Sequence, residues 1–210
     1  MAQTTETADS VLEFWFGRGG GDADGGGSAA AIAAEKTPLW WSKNAAIDRE
    51  ITDRFAATVD AAAAGRLDAW RESPRGLLAL IICADQFPRN IHRGAAAAFA
   101  CDPLALRLAE SGVDSGDDRR LAPIQRVFAY LPFEHSEALA DQQRSLVLYQ
   151  ALADAAPAAE RELFDGYLDF ARRHHAIIAR FGRFPHRNAV LGRRSSAEEL
   201  AFLDEPGSSF

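Results

Sequence analysis

Lysine is almost missing from this chain. Lys36 and Lys43 are the two lysines among 23 basic residues, which leaves 21 (23 minus 2) arginines. Acidic residues number 30, and the net charge of −7 excludes a protein that holds nucleic acid through a broad basic field. A local basic patch is still compatible with it. Cysteine is equally scarce: Cys83 and Cys101 do not make a disulfide framework, and Cys83 lies in an apolar run where a thiol acts as a small hydrophobe. The longest apolar run, LLALIICA from Leu77 to Ala84, is too short to span a bilayer. The opening stretch MAQTTETADSVLEFWFG is acidic and lacks the basic-then-apolar layout of a signal peptide. These absences lead us to expect a reduced, cytoplasmic protein with neither a membrane nor a nucleic-acid partner.

Motifs for common chemistries are missing too. The glycine-rich stretch at about 17–28 lacks the Gly-Lys-Ser/Thr ending of a phosphate loop and reads as a flexible surface insertion. There is no Gly-x-Ser-x-Gly elbow, no dinucleotide-binding glycine turn, no His-Glu-x-x-His and no Cys/His zinc spacing. No cofactor is therefore expected, and a metal site has little support.

What is present is helical periodicity. Apolar residues at 47, 51, 55, 59 and 62 form one stripe, and those at 139, 146, 149 and 152 another. Start and stop signals divide the chain. Ser10, Ser73 and Asp102 read as N-caps, Ser196 with Glu199 as a capping box, and Gly65 and Gly182 as helix ends. Pro88 and Pro132 are expected to stop their helices, and a long helix is expected from about 157 to 181. There is no convincing strand and no hairpin turn. The expectation is a single all-α domain over 1–210, with about seven to nine helices in antiparallel pairs. The adjacent Trp40 and Trp41 cannot both point the same way, so one is expected in the core and one is free to wall a groove.

Three polar clusters stand out against this background. Asp85 lies seven residues after Leu78 and close after Ile81 and Ile82, on the apolar stripe of its helix, so it needs a cationic partner. Arg89, His92 and Arg93 follow it; Arg183, His186 and Arg187 are candidates from the far end of the chain. Glu134, His135, Glu137, Asp141 and Gln142 crowd together after Pro132, where a histidine among carboxylates could serve as a general base. His174 falls on the apolar face of the long helix, about two turns before the arginine-rich segment RFGRFPHRN at 180–188. Five arginines, at 180, 183, 187, 193 and 194, fall in that region with no acid between them. FPRNIHRG (87–94) and FPHRNAVLG (184–192) echo each other, each with Phe-Pro, Arg-Asn and a glycine four residues after the asparagine. The blander reading of each cluster is structural: an internal clasp at Asp85, a helix start at Glu134, a core histidine at His174, two proline-marked turns.

VLEFWFG, DQFPRNIHRG, YLPFEHSE, Asp141-Gln142 and HHAIIARFGRFPHRNAVLGR, with the terminal EELAFL, resemble the bacterial family of unknown function DUF924 from about Val11 to Phe210. The resemblance implies a tetratricopeptide-like helical fold and no particular activity. Asp85, Gln86, Arg89, Asn90, Glu134, His135, His174, Arg183, His186, Arg187 and Asn188 fall on the family's characteristic polar positions. We therefore expect the three clusters to meet at a site for a small anionic ligand or, failing that, a peptide-binding groove. Asp85, Glu134, His135, His174 and His186 would carry acid–base chemistry. Arg89, Asn90, Gln142, Arg183, Arg187 and Asn188 would hold the ligand.

Overall fold

The computed structural model describes residues 5–18 and 27–208. Within them it is all-helical, with ten α-helical segments. These are α1 (Ala8–Phe16), α2 (Ala29–Trp41), α3 (Ala45–Ala63), α4 (Pro74–Ile81), α5 (Phe87–Ile91), α6 (Asp102–Ser115), α7 (Pro123–His135), α8 (Leu139–Ala155), α9 (Arg161–Phe181) and α10 (Ala197–Leu203). A π turn, Ile82–Gln86, joins α4 to α5, so ten segments make nine separate rods. No strand occurs among the described residues. Most of the glycine-rich insertion, residues 19–26, lies outside the described residues.

The rod α4–π–α5 organises the rest. Every residue from Gly76 to Pro88 is buried, the signature of a helix surrounded on all sides. Helices α1, α6 and α7 pack on α4, and α3 packs on the π turn and α5. Helices α6 to α9 then follow one another in space, with α8 and α9 in the most extensive contact. Their short connection makes them an antiparallel hairpin. The main core is aromatic-rich: Trp15, Phe16, Phe55, Phe87 and Phe128 are each at most 1% exposed. Trp15 meets the rings of Phe87 and Phe128 edge-on at 5.6 Å. A smaller apolar cluster of Ile177, Ile178 and Phe184, flanked by Phe181 and Phe202, lies under the C-terminal segment.

Several local expectations need correcting. Pro88 does not stop its helix. The preceding turn widens so that the Phe87 N–H reaches Ile82 O, five residues back, and the rod runs on to Ile91 with Pro88 in the first turn of α5. A proline costs little there, because the π register has already displaced the bond that its missing N–H would have made. Pro132 likewise lies inside α7, which ends three residues later. The cap of α1 is Thr7, with Ser10 as its capping-box partner. Asp102 opens α6 without capping it, since its carboxylate is used elsewhere. Trp40 and Trp41 close α2, an alanine-rich helix that periodicity alone did not mark. The signals at Ser73, Gly65, Gly182 and Ser196–Glu199 behave as expected.

Gly76 gives a direct test of this packing. A Cβ on Gly76 would sit 2.1 Å from Trp70 O, a backbone atom that cannot step aside. Gly76→Ala in a free helix would gain about 1 kcal/mol from propensity. Here the sign reverses, with an expected net loss of about 1–3 kcal/mol in urea unfolding.

Candidate functional site

Asp85 reaches the middle of the molecule on the π turn and has no exposed surface. A carboxylate in that position must be met by hydrogens. The His135 Nδ1 lies 2.8 Å from Asp85 Oδ1, and the Gln86 amide donates to Oδ2 at 2.6 Å. Arg89, one turn along, places Nη1 3.4 Å from Oδ1 and donates to the Asp85 backbone carbonyl at 2.5 Å. Burial opposes ionisation of Asp85, but the charge of Arg89 and the side-chain bonds from His135 and Gln86 outweigh it. The carboxyl is held well below the usual carboxylate range.

The other end of Arg89 grips Asp102 with a two-pronged contact, Nη1 to Oδ1 at 2.9 Å and Nη2 to Oδ2 at 3.1 Å. Arg187 reaches the same carboxylate from the C-terminal segment, Nη1 to Oδ2 at 3.4 Å, and also donates to the His135 carbonyl at 3.1 Å. Both arginines pack on the ring of Phe99, their guanidinium carbons 5.6 Å (Arg89) and 4.8 Å (Arg187) from its centroid. Arg187 packs on Phe184 as well, at 4.4 Å.

His135 is the last residue of α7. An ionised Asp85 can only accept, so Nδ1 carries the hydrogen. No protein group among the described residues bonds Nε2. Burial first, then Arg89 and Arg187, lower the His135 pKa against the pull of Asp85. The ring is therefore a neutral base at neutral pH, with its lone pair on Nε2. Its side chain is 14% exposed, against 1% for that of Asp85, so the pair has a buried end and an accessible end.

The preceding residue, Glu134, faces inward and meets His174, with Nδ1 3.0 Å from Oε1. The same nitrogen lies 2.9 Å from Phe170 O, so it too must carry a hydrogen. The rings of His135 and His174 are 6.3 Å apart. Gln142 holds this turn in shape. Its amide nitrogen donates to the carbonyls of Glu134 at 2.6 Å and Ser136 at 2.7 Å, which would otherwise be left open at the end of α7. Phe184 lies 5.5 Å from both His174 and His186, and burial, then the charge of Arg187, pushes His186 down to about 4.

Asp85, Arg89, Glu134, His135, His174, His186 and Arg187 thus come together, although they derive from three remote stretches. The other expected ligand residues are occupied elsewhere. Arg183 grips Glu199 at 2.6 and 2.8 Å, Asn90 donates to Asp48 at 2.9 Å, and Asn188 donates to Ser195 at 3.0 Å. Asp48 also takes Arg93. Arg180 pairs with Glu198 and Arg193 with Glu137. Most of the arginine-rich segment therefore answers the chain's own acids.

Arg187 is the exception. It is 6% exposed, both of its hydrogen bonds run through Nη1, and its buried Nε has no partner. Burial and the like charge of Arg89 lower its pKa to about 10 against the pull of Asp102, Glu137 and Asp85.

Asp102 and Phe99 were missed as members of the site. Asp102 stands directly before a proline at a helix start and reads locally as a cap. Phe99 sits in a short 3₁₀ turn (Ala96–Phe99) with no periodic signal. A surface cleft of about 660 Å³, floored by Phe14, Leu39 and Ile47, lies elsewhere, between α1, α2 and α3. None of the expected site residues lines it. Among the described residues no cluster of histidine, cysteine and acid could hold a metal ion, and no helix is long and apolar enough to cross a membrane.

The family described as "Bacterial protein of unknown function (DUF924)" matches residues 11–207. A solved structure, the protein of unknown function ATU0120 from Agrobacterium tumefaciens, is 40% identical and superposes with a TM-score of 0.71, covering 84% of this chain and 99% of its own. No curated protein matches the chain.

Two outcomes follow from this geometry. Asp85→Asn strips the charge that Arg89 was buried against and weakens the acceptor that orients His135, and is expected to cost about 3–5 kcal/mol in urea unfolding. His186 sets a pH dependence. Its folded pKa of about 4 lies below the value near 6.5 for an unfolded histidine. The unfolded chain therefore takes up a proton that the folded one refuses. This contribution is fully present above pH 6.5 and is lost as pH falls towards 4. Stability should fall between pH 7 and 5, and His186→Asn should flatten that slope.

Proposed function

Since the chain belongs to the bacterial family of unknown function DUF924, we propose its function from the site itself: binding of a small anion, phosphate- or carboxylate-bearing, at Arg187 and Arg89, with His135 moving a proton to or from the bound molecule. The observation that carries this reading is Arg187, a buried guanidinium that shares a single long contact with a carboxylate already gripped by Arg89. Charge that deep is ordinarily matched more fully. An anion accepting from the unused edge of Arg187 would supply the match.

The chemistry comes from His135. Asp85 fixes its tautomer and orientation through Nδ1, which leaves Nε2 as a base beside the two arginines. The arginines that hold the anion also keep the imidazole neutral. Glu134 orients His174 behind His135, and His186 borders the same group. The π turn under Asp85 agrees with this reading, because such turns recur at functional sites.

A second reading is a peptide-binding module on a tetratricopeptide-like scaffold, with the ionic cluster purely architectural. It is favoured by the number of arginines already paired and by Trp41, which is 48% exposed at the end of α2 while Trp40 is buried.

Thermal shift separates the two. A ligand bound only by the folded chain at a hundred times its Kd adds about 2.7 kcal/mol, or roughly 5–10 °C in Tm for a chain of this size. Inorganic phosphate or succinate is expected to give such a shift, and Arg187→Lys to abolish it by losing the two-pronged contact. The His135 ring signal in NMR should titrate below 6.5 in the free protein and move up when the anion binds. No shift with any anion would leave the architectural reading in place.

A further inference from the structure

The two echoing corners end at the same place. Arg89 of FPRNIHRG and Arg187 of FPHRNAVLG both reach Asp102 and both pack on Phe99. Their phenylalanines, Phe87 and Phe184, are each fully buried, and their glycines, Gly94 and Gly192, both adopt positive φ. Asp102 lies between the two arginines with 20% of its side chain exposed. It opens α6, but no side-chain bond caps that helix, so its oxygens serve the arginines instead.

We propose that Asp102 is a built-in competitor that occupies the position of the ligand's own carboxylate, so that it sets both the class of ligand and the threshold for binding. The inference rests on the anion-site reading above. Asp102 meets the Arg89 fork with both oxygens, each taking one nitrogen at 2.9 and 3.1 Å, which is how a flat carboxylate is recognised. The third contact, from Arg187, stretches to 3.4 Å, so the internal acid fits the first arginine and underfills the second. A carboxylate on a free ligand is not tethered to α6 and can sit lower, accepting from Arg89 and from the unused edge of Arg187 together. The partial exposure of Asp102 gives its side chain water to turn into when displaced. His135 adjoins this position through the bond from Arg187 to its carbonyl. The bound carboxylate therefore lies next to the group that would act on the rest of the molecule.

Asp102→Asn removes the competing charge at nearly constant shape. Acetate and succinate, followed by calorimetry at fixed ionic strength, should bind the variant about tenfold more tightly than the parent or better, since a charge-assisted contact no longer has to be broken. Inorganic phosphate should gain less. Asp102→Ser, which keeps a residue suited to a helix start, should show the same gain if the asparagine variant folds poorly. A parent that binds carboxylates with variants that bind no more tightly would overturn the competitor role and leave the anion site standing. A parent and variants that all fail to bind would remove both. A larger gain for phosphate than for acetate would overturn the carboxylate assignment.

Discussion

A carboxylate with no access to water is the constraint from which most of this architecture follows. Asp85 sits on a rod that is buried without a break from Gly76 to Pro88. An ion there costs several kcal/mol unless hydrogens and opposite charge surround it. Its own rod supplies Gln86 and Arg89. The third partner, His135, must come from another helix, so α7 has to end where it does. Arg89 then needs a second acid and takes Asp102 from the start of α6. Asp102 in turn draws in Arg187 from beyond α9. Each pairing leaves a remainder that recruits the next segment, and four elements far apart in sequence are fixed around one buried charge.

This chain of pairings explains what could be read in advance. That Asp85 lies inward and needs a cation follows from helical spacing, which is local. That Arg89 answers it is also local, one turn away. His135 was visible as a histidine among carboxylates, with Glu134 beside it and Asp85 both open as the acid that orients it; only the fold chooses Asp85, fifty residues earlier. Asp102 escaped notice because one residue type satisfies two signals, helix start and ion-pair partner, and only the three-dimensional neighbourhood chooses between them. Pro88 and Pro132 were misread for a related reason. The proline rule prices a lost hydrogen bond within an ordinary helix. It cannot see that a π turn has already moved that bond, or that the burial of Phe133 and Glu134 holds the last turn of α7 together.

The same accounting separates architecture from candidate chemistry. Arg183 with Glu199, Arg193 with Glu137 and Arg93 with Asp48 are one-to-one matches with good geometry. They fasten the C-terminal segment or α3, and each arginine there has a carboxylate to itself. Around Asp102 the match is uneven: two guanidinium groups address one carboxylate, and the more deeply buried of them receives the poorer contact. A purely structural clasp has no reason to keep such a remainder. Replacing a buried ion pair by apolar side chains of similar size is often neutral or better for stability. An underfilled arginine beside a neutral, carboxylate-oriented histidine is therefore expensive scaffolding, though sensible for a site.

The two Phe-Pro corners carry this one step further. Their backbones differ: the first continues a helix through a π turn, whereas the second follows a left-handed glycine and enters a 3₁₀ turn. A shared local fold therefore does not account for the shared residues. What the corners have in common is their destination. Each buries its phenylalanine, which fixes the turn against the core, and each sends its arginine to Asp102 across the face of Phe99. Similar side chains delivered to one point by unlike backbones indicate that the point itself constrains them. At that point stand a carboxylate with two claimants and an imidazole with a free nitrogen.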